Sequence, residues 1–282
     1  MTYTLLISTD ELAEHLNDPD WIVVDCRFVL AAPERGEQNY LHSHIPGAIY
    51  AHLERDLSSP VIPGVTGRHP WLGAEQTVEA LERLGIGSHM QVVAYDDAGG
   101  ALAATRLWGM LRWLGHEAVA ILDGGWQKWV NEDRDIAMGL ETRPAQSIVP
   151  RLRPELIADI VEVDRMRLDP ACRVFDARTL ERYHGQNETI DPIAGHIPGA
   201  YSAPYLENLT EDLTLRSPEE LRAHYKALLG EIPAERVAFY CGSGVTSIHN
   251  VLAVMIAGLG EARVYAGSWS EWIADRKRPV AT

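Results

Sequence analysis

Arg236-Val237-Ala238-Phe239-Tyr240 runs into Cys241-Gly242-Ser243-Gly244-Val245-Thr246, and then into Ser247 to Leu259. The first five residues read as a short buried strand. Ser247 to Leu259 places Ile248, Val251, Leu252, Met255, Ile256 and Leu259 at helical spacing. Cys241 therefore sits on a strand-to-helix turn, facing backbone N–H groups that have no partner within the helix. Those groups and the helix dipole favour negative charge at that spot. A thiol placed there can fall from a pKa of about 8.5 to roughly 3.5–7.5, and so become a thiolate nucleophile at neutral pH. Gly242 and Gly244 let the backbone curl around the sulfur. The alternative is a buried structural cysteine at a strand end. The glycines, Ser243 and Thr246 favour the reactive thiol.

Outward from this stretch, the chain repeats itself with a period of roughly 150 residues. Asp25-Cys26-Arg27 matches Asp176-Ala177-Arg178. His44-Ile45-Pro46-Gly47-Ala48 matches His196-Ile197-Pro198-Gly199-Ala200. Gly125-Trp126-Gln127-Lys128-Trp129 matches Ser268-Trp269-Ser270-Glu271-Trp272. The landmarks keep their order, so the 282 residues divide into two copies of one domain, each large enough for its own core. The expected domains are 1–140 and 155–282. Residues 141–154, rich in proline and mixed charge, form an ordered or semi-extended linker.

Strand candidates pair up between the copies: Trp21 to Asp25 with Arg173 to Asp176, Gln91 to Tyr95 with Val237 to Tyr240, and Ala118 to Leu122 with Ala262 to Tyr265. Helices are expected at Thr9 to Asn17, Gly73 to Leu84, Leu102 to Leu114, Ile160 to Leu168 and Pro218 to Leu229, besides the run after Cys241. Helix-start signals stand at Ser8 or Thr9 before Glu11, and at Ser217-Pro218-Glu219-Glu220. Short apolar strands alternating with helices define an α/β fold with a parallel sheet covered on both faces. Ligands of such sheets bind beyond the carboxyl ends of the strands, where Cys241 lies.

The formal charge is −15, which argues against binding nucleic acid through a basic surface. Any anion site must be built locally from N–H groups and a few arginines. No apolar run approaches the ~18 to 20 residues of a membrane span, and the N-terminus reads as lacking a signal peptide. The three cysteines form neither a disulfide framework nor a metal-ligand pattern. Cys26 and Cys172 read as structural. A cytoplasmic, reducing setting, a monomer and no metal or organic cofactor are expected.

These motifs together resemble the tandem-domain rhodanese (sulfurtransferase) family over nearly the whole chain. The resemblance implies two tandem rhodanese-like domains, each a central parallel β-sheet flanked by helices on both faces, with the N-terminal copy catalytically inactive. Aligning Tyr95 with Tyr240 puts Asp96 opposite Cys241, so the first copy lacks the nucleophile. The implied chemistry is transfer of a sulfane sulfur through a cysteine persulfide, with ping-pong kinetics. The neutral Cys-Gly-Ser-Gly-Val-Thr loop resembles that of 3-mercaptopyruvate sulfurtransferases; thiosulfate enzymes commonly carry basic residues there. The donor implied is 3-mercaptopyruvate, with thiosulfate as the alternative. The acceptor is cyanide in an assay and a small thiol or thioredoxin-like dithiol in the cell.

Residue by residue, the resemblance makes Cys241 the nucleophile and Ser243, His69 and Glu54 a proton relay. The loop positions Gly242, Gly244, Val245 and Thr246 hold the anionic donor with backbone N–H groups. Arg182 grips the donor carboxylate. The family's second arginine falls near Ile190. His69, in Gly67-Arg68-His69-Pro70, reads equally as a solvated loop histidine. Arg178 and Asp176 read as scaffold. Trp269 reads as packing near the site mouth or in the core. A phosphatase of this fold would need arginine at Ser247 and commonly histidine at Tyr240. A non-catalytic interaction module would lack the cysteine.

Overall fold

The computed structural model describes residues 2–282. The chain forms two compact units. Unit 1 holds the chain up to Ser59, Leu72–Arg153 and Thr210–Leu215; unit 2 holds Pro60–Trp71, Pro154–Leu209 and Arg216–Thr282.

Unit 1 runs β1 (Leu6–Ile7), α1 (Thr9–His15), β2 (Trp21–Asp25), α2 (Glu34–His42) and β3 (Ile49–Tyr50). It continues with α3 (Ala74–Arg83), β4 (Gln91–Tyr95), α4 (Ala103–Trp113), β5 (Val119–Leu122) and α5 (Gly125–Asn131). Unit 2 runs β6 (Ile157–Ala158), α6 (Ile160–Met166), β7 (Arg173–Asp176), α7 (Leu180–Tyr183) and β8 (Tyr201–Ser202). It ends with α8 (Pro218–Leu229), β9 (Val237–Tyr240), α9 (Ser247–Ile256), β10 (Arg263–Tyr265) and α10 (Ser268–Trp272). Each unit has one five-stranded sheet flanked by helices, in the order β1-β5-β4-β2-β3 and β6-β10-β9-β7-β8. Every strand pairing in both sheets is parallel. The two-domain α/β fold read from the sequence is thus the fold observed.

Burial explains why the strands read as continuous apolar runs. All five residues of β2 and of β4 are buried, as are all four of β9. Fully buried Val, Ile and Phe side chains such as Ile22, Val92 and Phe239 each contribute about 1.5–3 kcal/mol relative to exposure. The helix starts follow the expected chemistry. Ser8 with Glu11, and Ser217 with Glu220, each close a reciprocal capping box. Helix α9 stops short of Leu259, because the chain turns through Gly258 at φ +65° and Gly260 at φ +105°. Among the described residues no helix is long and apolar enough to cross a membrane.

The three repeated motifs form one clamp in each unit. In unit 1, Asp25 accepts hydrogen bonds from the Arg27 N–H at 2.9 Å, from Arg27 Nη2 at 2.6 Å and from the Tyr95 hydroxyl at 2.6 Å. Tyr95 in turn accepts the Ile45 N–H at 3.3 Å, tying in the His-Ile-Pro-Gly-Ala turn. In unit 2, Asp176 accepts from the Arg178 N–H at 2.9 Å and from Nη2 at 2.6 Å, while Tyr240 accepts the Ile197 N–H at 3.1 Å. The tryptophan motif closes the clamp from above: Arg27 lies 4.3 Å from the Trp126 ring centroid, and Arg178 lies 4.9 Å from that of Trp269. Both carboxylates are fully buried, so losing either partner would strand a charge at a cost of about 3–5 kcal/mol. Asp176 and Arg178 are therefore scaffold in this structure.

Candidate active site

In unit 2, Cys241 leaves the carboxyl end of β9, and the loop through Thr246 turns directly into α9. The base of this loop is pinned by the tryptophan motif. The Trp269 N–H donates to the Cys241 carbonyl at 3.0 Å, and the Ser270 N–H donates to that of Gly242 at 2.9 Å. The Cys241 N–H donates to Ser268 Oγ at 3.1 Å, and the Ser268 hydroxyl donates to the Tyr265 carbonyl at 2.9 Å. Trp269, fully buried, thus packs in the core and fixes the loop through its backbone.

Gly244 has φ +74°, and a Cβ there would lie 2.0 Å from the Ala266 carbonyl oxygen. Only glycine fits this turn. The Cys241 sulfur at the start of this turn is almost wholly buried. Burial alone would raise the thiol pKa. The Thr246 hydroxyl and the N–H groups of Ser243 and Ser247 act against it, and the balance leaves Cys241 below the ordinary thiol value. The other two cysteines go the other way. Burial, then neighbouring carboxylates, push Cys26 well up; burial, then Asp169, raises Cys172.

His69 Nδ1 and Ser243 Oγ share a hydrogen bond at 2.8 Å, and both residues are buried. His69 is therefore no solvated loop histidine. It reaches Ser243 because Pro60–Trp71 packs within unit 2. Gly67 permits the approach: a Cβ there would lie 2.5 Å from the Gly267 carbonyl oxygen. The Arg68 N–H donates to Ser270 Oγ at 3.0 Å. Glu54 belongs to unit 1, where it is exposed and its N–H donates to His52 Nδ1 at 3.1 Å.

Arg182 projects from α7 toward the same loop. A Cβ on Gly242 would meet Arg68 Nη2 at 3.0 Å and the Arg182 Nη atoms at 3.6 and 3.7 Å. Two guanidiniums therefore lie against Gly242, the residue after Cys241. Arg68 was not singled out from the sequence; its adjacency to His69 was the available signal. Asp191 was also missed. It accepts from Arg68 Nη1 at 2.7 Å and from Arg182 Nη2 at 2.8 Å. Ile190, where the family's second arginine would fall, is half-exposed, and its N–H donates to Glu188 at 3.0 Å. Val245 is a buried apolar residue of the loop, and the Thr246 hydroxyl is the largest influence that lowers the Cys241 thiol.

Unit 1 has the same loop position filled by a carboxylate. The Trp126 N–H donates to the Asp96 carbonyl at 2.9 Å, as that of Trp269 does to Cys241. The Asp96 side chain accepts N–H groups from Ala98, Gly100, Leu102 and Ala104 at 2.9, 2.8, 2.9 and 3.2 Å. In this copy the loop N–H groups close on the Asp96 carboxyl group, whose pKa burial raises to about 6.

Two parallel-sheet units, each with its own copy of the clamp and one bearing a buried cysteine on a strand-to-helix loop, define a tandem α/β protein. The chain belongs to the rhodanese family: the Rhodanese-like domain matches residues 8–132 and 159–275. It is 42% identical to a probable 3-mercaptopyruvate sulfurtransferase of Pseudomonas aeruginosa over 283 residues, covering 100% of this chain and 99% of that one. It is 36% identical to a putative thiosulfate sulfurtransferase of Mycobacterium tuberculosis, covering 98% of this chain and 96% of the other. Among solved structures, 3-mercaptopyruvate sulfurtransferase from Leishmania major superposes with a TM-score of 0.86 at 30% identity, covering 98% of this chain and 76% of that one.

Proposed function

We propose that this protein is a sulfurtransferase in which Cys241 carries a sulfane sulfur from 3-mercaptopyruvate to a thiophilic acceptor. The observation that carries the reading is a buried thiol on the strand-to-helix loop after β9, with two guanidiniums against the adjacent Gly242. The Cys241 thiolate attacks the donor sulfur. A sulfur–sulfur bond forms, the donor's carbon–sulfur bond breaks, and its electron pair leaves on carbon as the enolate of pyruvate. A proton converts the enolate to pyruvate. The Ser243–His69 pair is positioned to move protons between the donor and this enolate. The acceptor then attacks the outer sulfur of the persulfide and releases the thiolate.

The N–H groups of the loop stabilise both the thiolate and the persulfide anion. Arg68 and Arg182 together supply the bidentate grip on the donor carboxylate, so Ile190 is not needed for it. Thiosulfate is the second donor to consider, because paired guanidiniums also suit a sulfonate-like group. A cytoplasmic setting fits three free cysteines and a thiol that must stay reduced. The acceptor is cyanide in vitro and a small thiol or a thioredoxin-like dithiol in the cell.

The test is mass spectrometry of the intact protein after brief exposure to 3-mercaptopyruvate. The expected result is one added sulfur atom on Cys241 with release of pyruvate, and neither in Cys241→Ser. Undiminished turnover by Cys241→Ser would sink the reading.

A further inference from the structure

We infer that Asp191 sets the charge preference of the sulfur donor, selecting a monoanion over a dianion. The inference rests on the donor chemistry proposed above and adds a residue that fixes which donor is taken.

Asp191 is almost wholly buried, with only 1% of its side chain exposed, and it bridges the two guanidiniums that face Gly242. Its Oδ1 accepts from Arg68 at 2.7 Å and its Oδ2 from Arg182 at 2.8 Å. Behind it, Glu188 takes Arg182 Nε at 2.9 Å and meets Arg178 Nη1 at 3.4 Å, and Arg178 pairs with Asp176. Three guanidiniums and three carboxylates are thus linked in one chain of contacts, and their charges cancel. The two arginines that face Gly242 share the Asp191 charge, so their pull on a donor is already reduced before it arrives. One added carboxylate suits that balance. A dianion next to the Cys241 thiolate brings a second negative charge that this balanced network does not offset. The same bridge holds both guanidinium planes at the loop, so Asp191 is also a positioning residue.

Charge and position separate in the measurement. Removing one negative charge near a bound anion gains free energy in proportion to that anion's charge. On a logarithmic scale, Asp191→Asn should therefore favour thiosulfate, a dianion, twice as much as the monoanionic 3-mercaptopyruvate. Loosened guanidiniums would weaken both donors and drop out of their ratio.

The experiment compares kcat/KM for thiosulfate and for 3-mercaptopyruvate, with cyanide as acceptor, in the parent protein, Asp191→Asn and Asp191→Glu. The expected result is a thiosulfate-to-mercaptopyruvate ratio that rises about tenfold in Asp191→Asn and becomes more salt-sensitive. In Asp191→Glu, which keeps the charge, the ratio should stay near that of the parent even if both rates fall. Parallel losses with an unchanged ratio in Asp191→Asn would overturn the inference and leave Asp191 as scaffold. If the Asn variant does not fold, Asp191→Ser makes the same charge change: a raised ratio supports the inference and an unchanged ratio overturns it. A parent protein that takes sulfur from neither donor would defeat the reading of the site itself, and this inference with it.

Discussion

Replacing Thr246 with Val tests the origin of the reactive thiol. Val keeps the branched shape of Thr and removes one hydroxyl. The Thr246 side chain makes no capping bond to α9, so the helix start is left as it was. Among the groups that lower the Cys241 thiol, the Thr246 hydroxyl is the largest; burial opposes all of them. A hydrogen bond to a charged group contributes about 1.5–3 kcal/mol, and one pKa unit is about 1.36 kcal/mol. Losing that bond should therefore raise the thiol's pKa in Thr246→Val. Below the new pKa the thiolate fraction falls by about 10- to 100-fold, and kcat/KM falls with it.

The direct assay is the rate of Cys241 alkylation by iodoacetamide against pH, read peptide by peptide. Cys26 and Cys172 do not interfere, since both are raised above the ordinary value. Stability gives a second readout. A thiol lowered on folding adds stability that is fully present above its unfolded pKa and is lost as pH falls through the lowered value. The gap in Tm between parent and variant should thus be wider near about pH 9.5 than near about pH 5. An alkylation midpoint that does not move in Thr246→Val would refute the argument that this hydroxyl holds the thiolate.

His69→Gln retains a hydrogen-bonding group toward Ser243 but cannot carry a proton. It should lower kcat for 3-mercaptopyruvate by about 10²- to 10⁴-fold, and spare thiosulfate, whose transferred sulfur carries no proton. Thiocyanate formation from the two donors side by side checks this; equal losses would remove His69 from proton transfer. Arg182→Ala should raise KM for 3-mercaptopyruvate by roughly 10- to 100-fold, the loss of a charge-assisted grip on its carboxylate. Steady-state titration of the donor measures it, and an unchanged KM would take Arg182 out of the site.

Much of the fold was legible because it rests on local pattern. The apolar runs Trp21–Asp25, Gln91–Tyr95 and Val237–Tyr240 are strands over those same residues. The capping boxes at Ser8 and Ser217 start helices where their spacing says they should. The two-residue edge strands β1, β3, β6 and β8 are too short to carry any periodicity, and pairing alone defines them. The four-residue α7, which presents Arg182, is also below the length at which helical spacing can be read.

The site divides the same way. Cys241, its glycines and Thr246 are neighbours along the chain, so their order in the sequence already places them together at a strand end and a tight turn. The partners of that loop come from far away. Arg68 and His69 reach it across a separation in sequence of more than 170 residues, because Pro60–Trp71 packs into unit 2. Asp191 matters only because folding sets two guanidiniums against its two oxygens. Sequence by itself determined the duplicated α/β fold and pointed to Cys241 as the candidate nucleophile, since both readings follow from backbone geometry over short stretches. Only the tertiary structure decided which charged groups surround that thiol, because ion pairs and hydrogen bonds depend on distance in space, and spacing along the chain does not encode it.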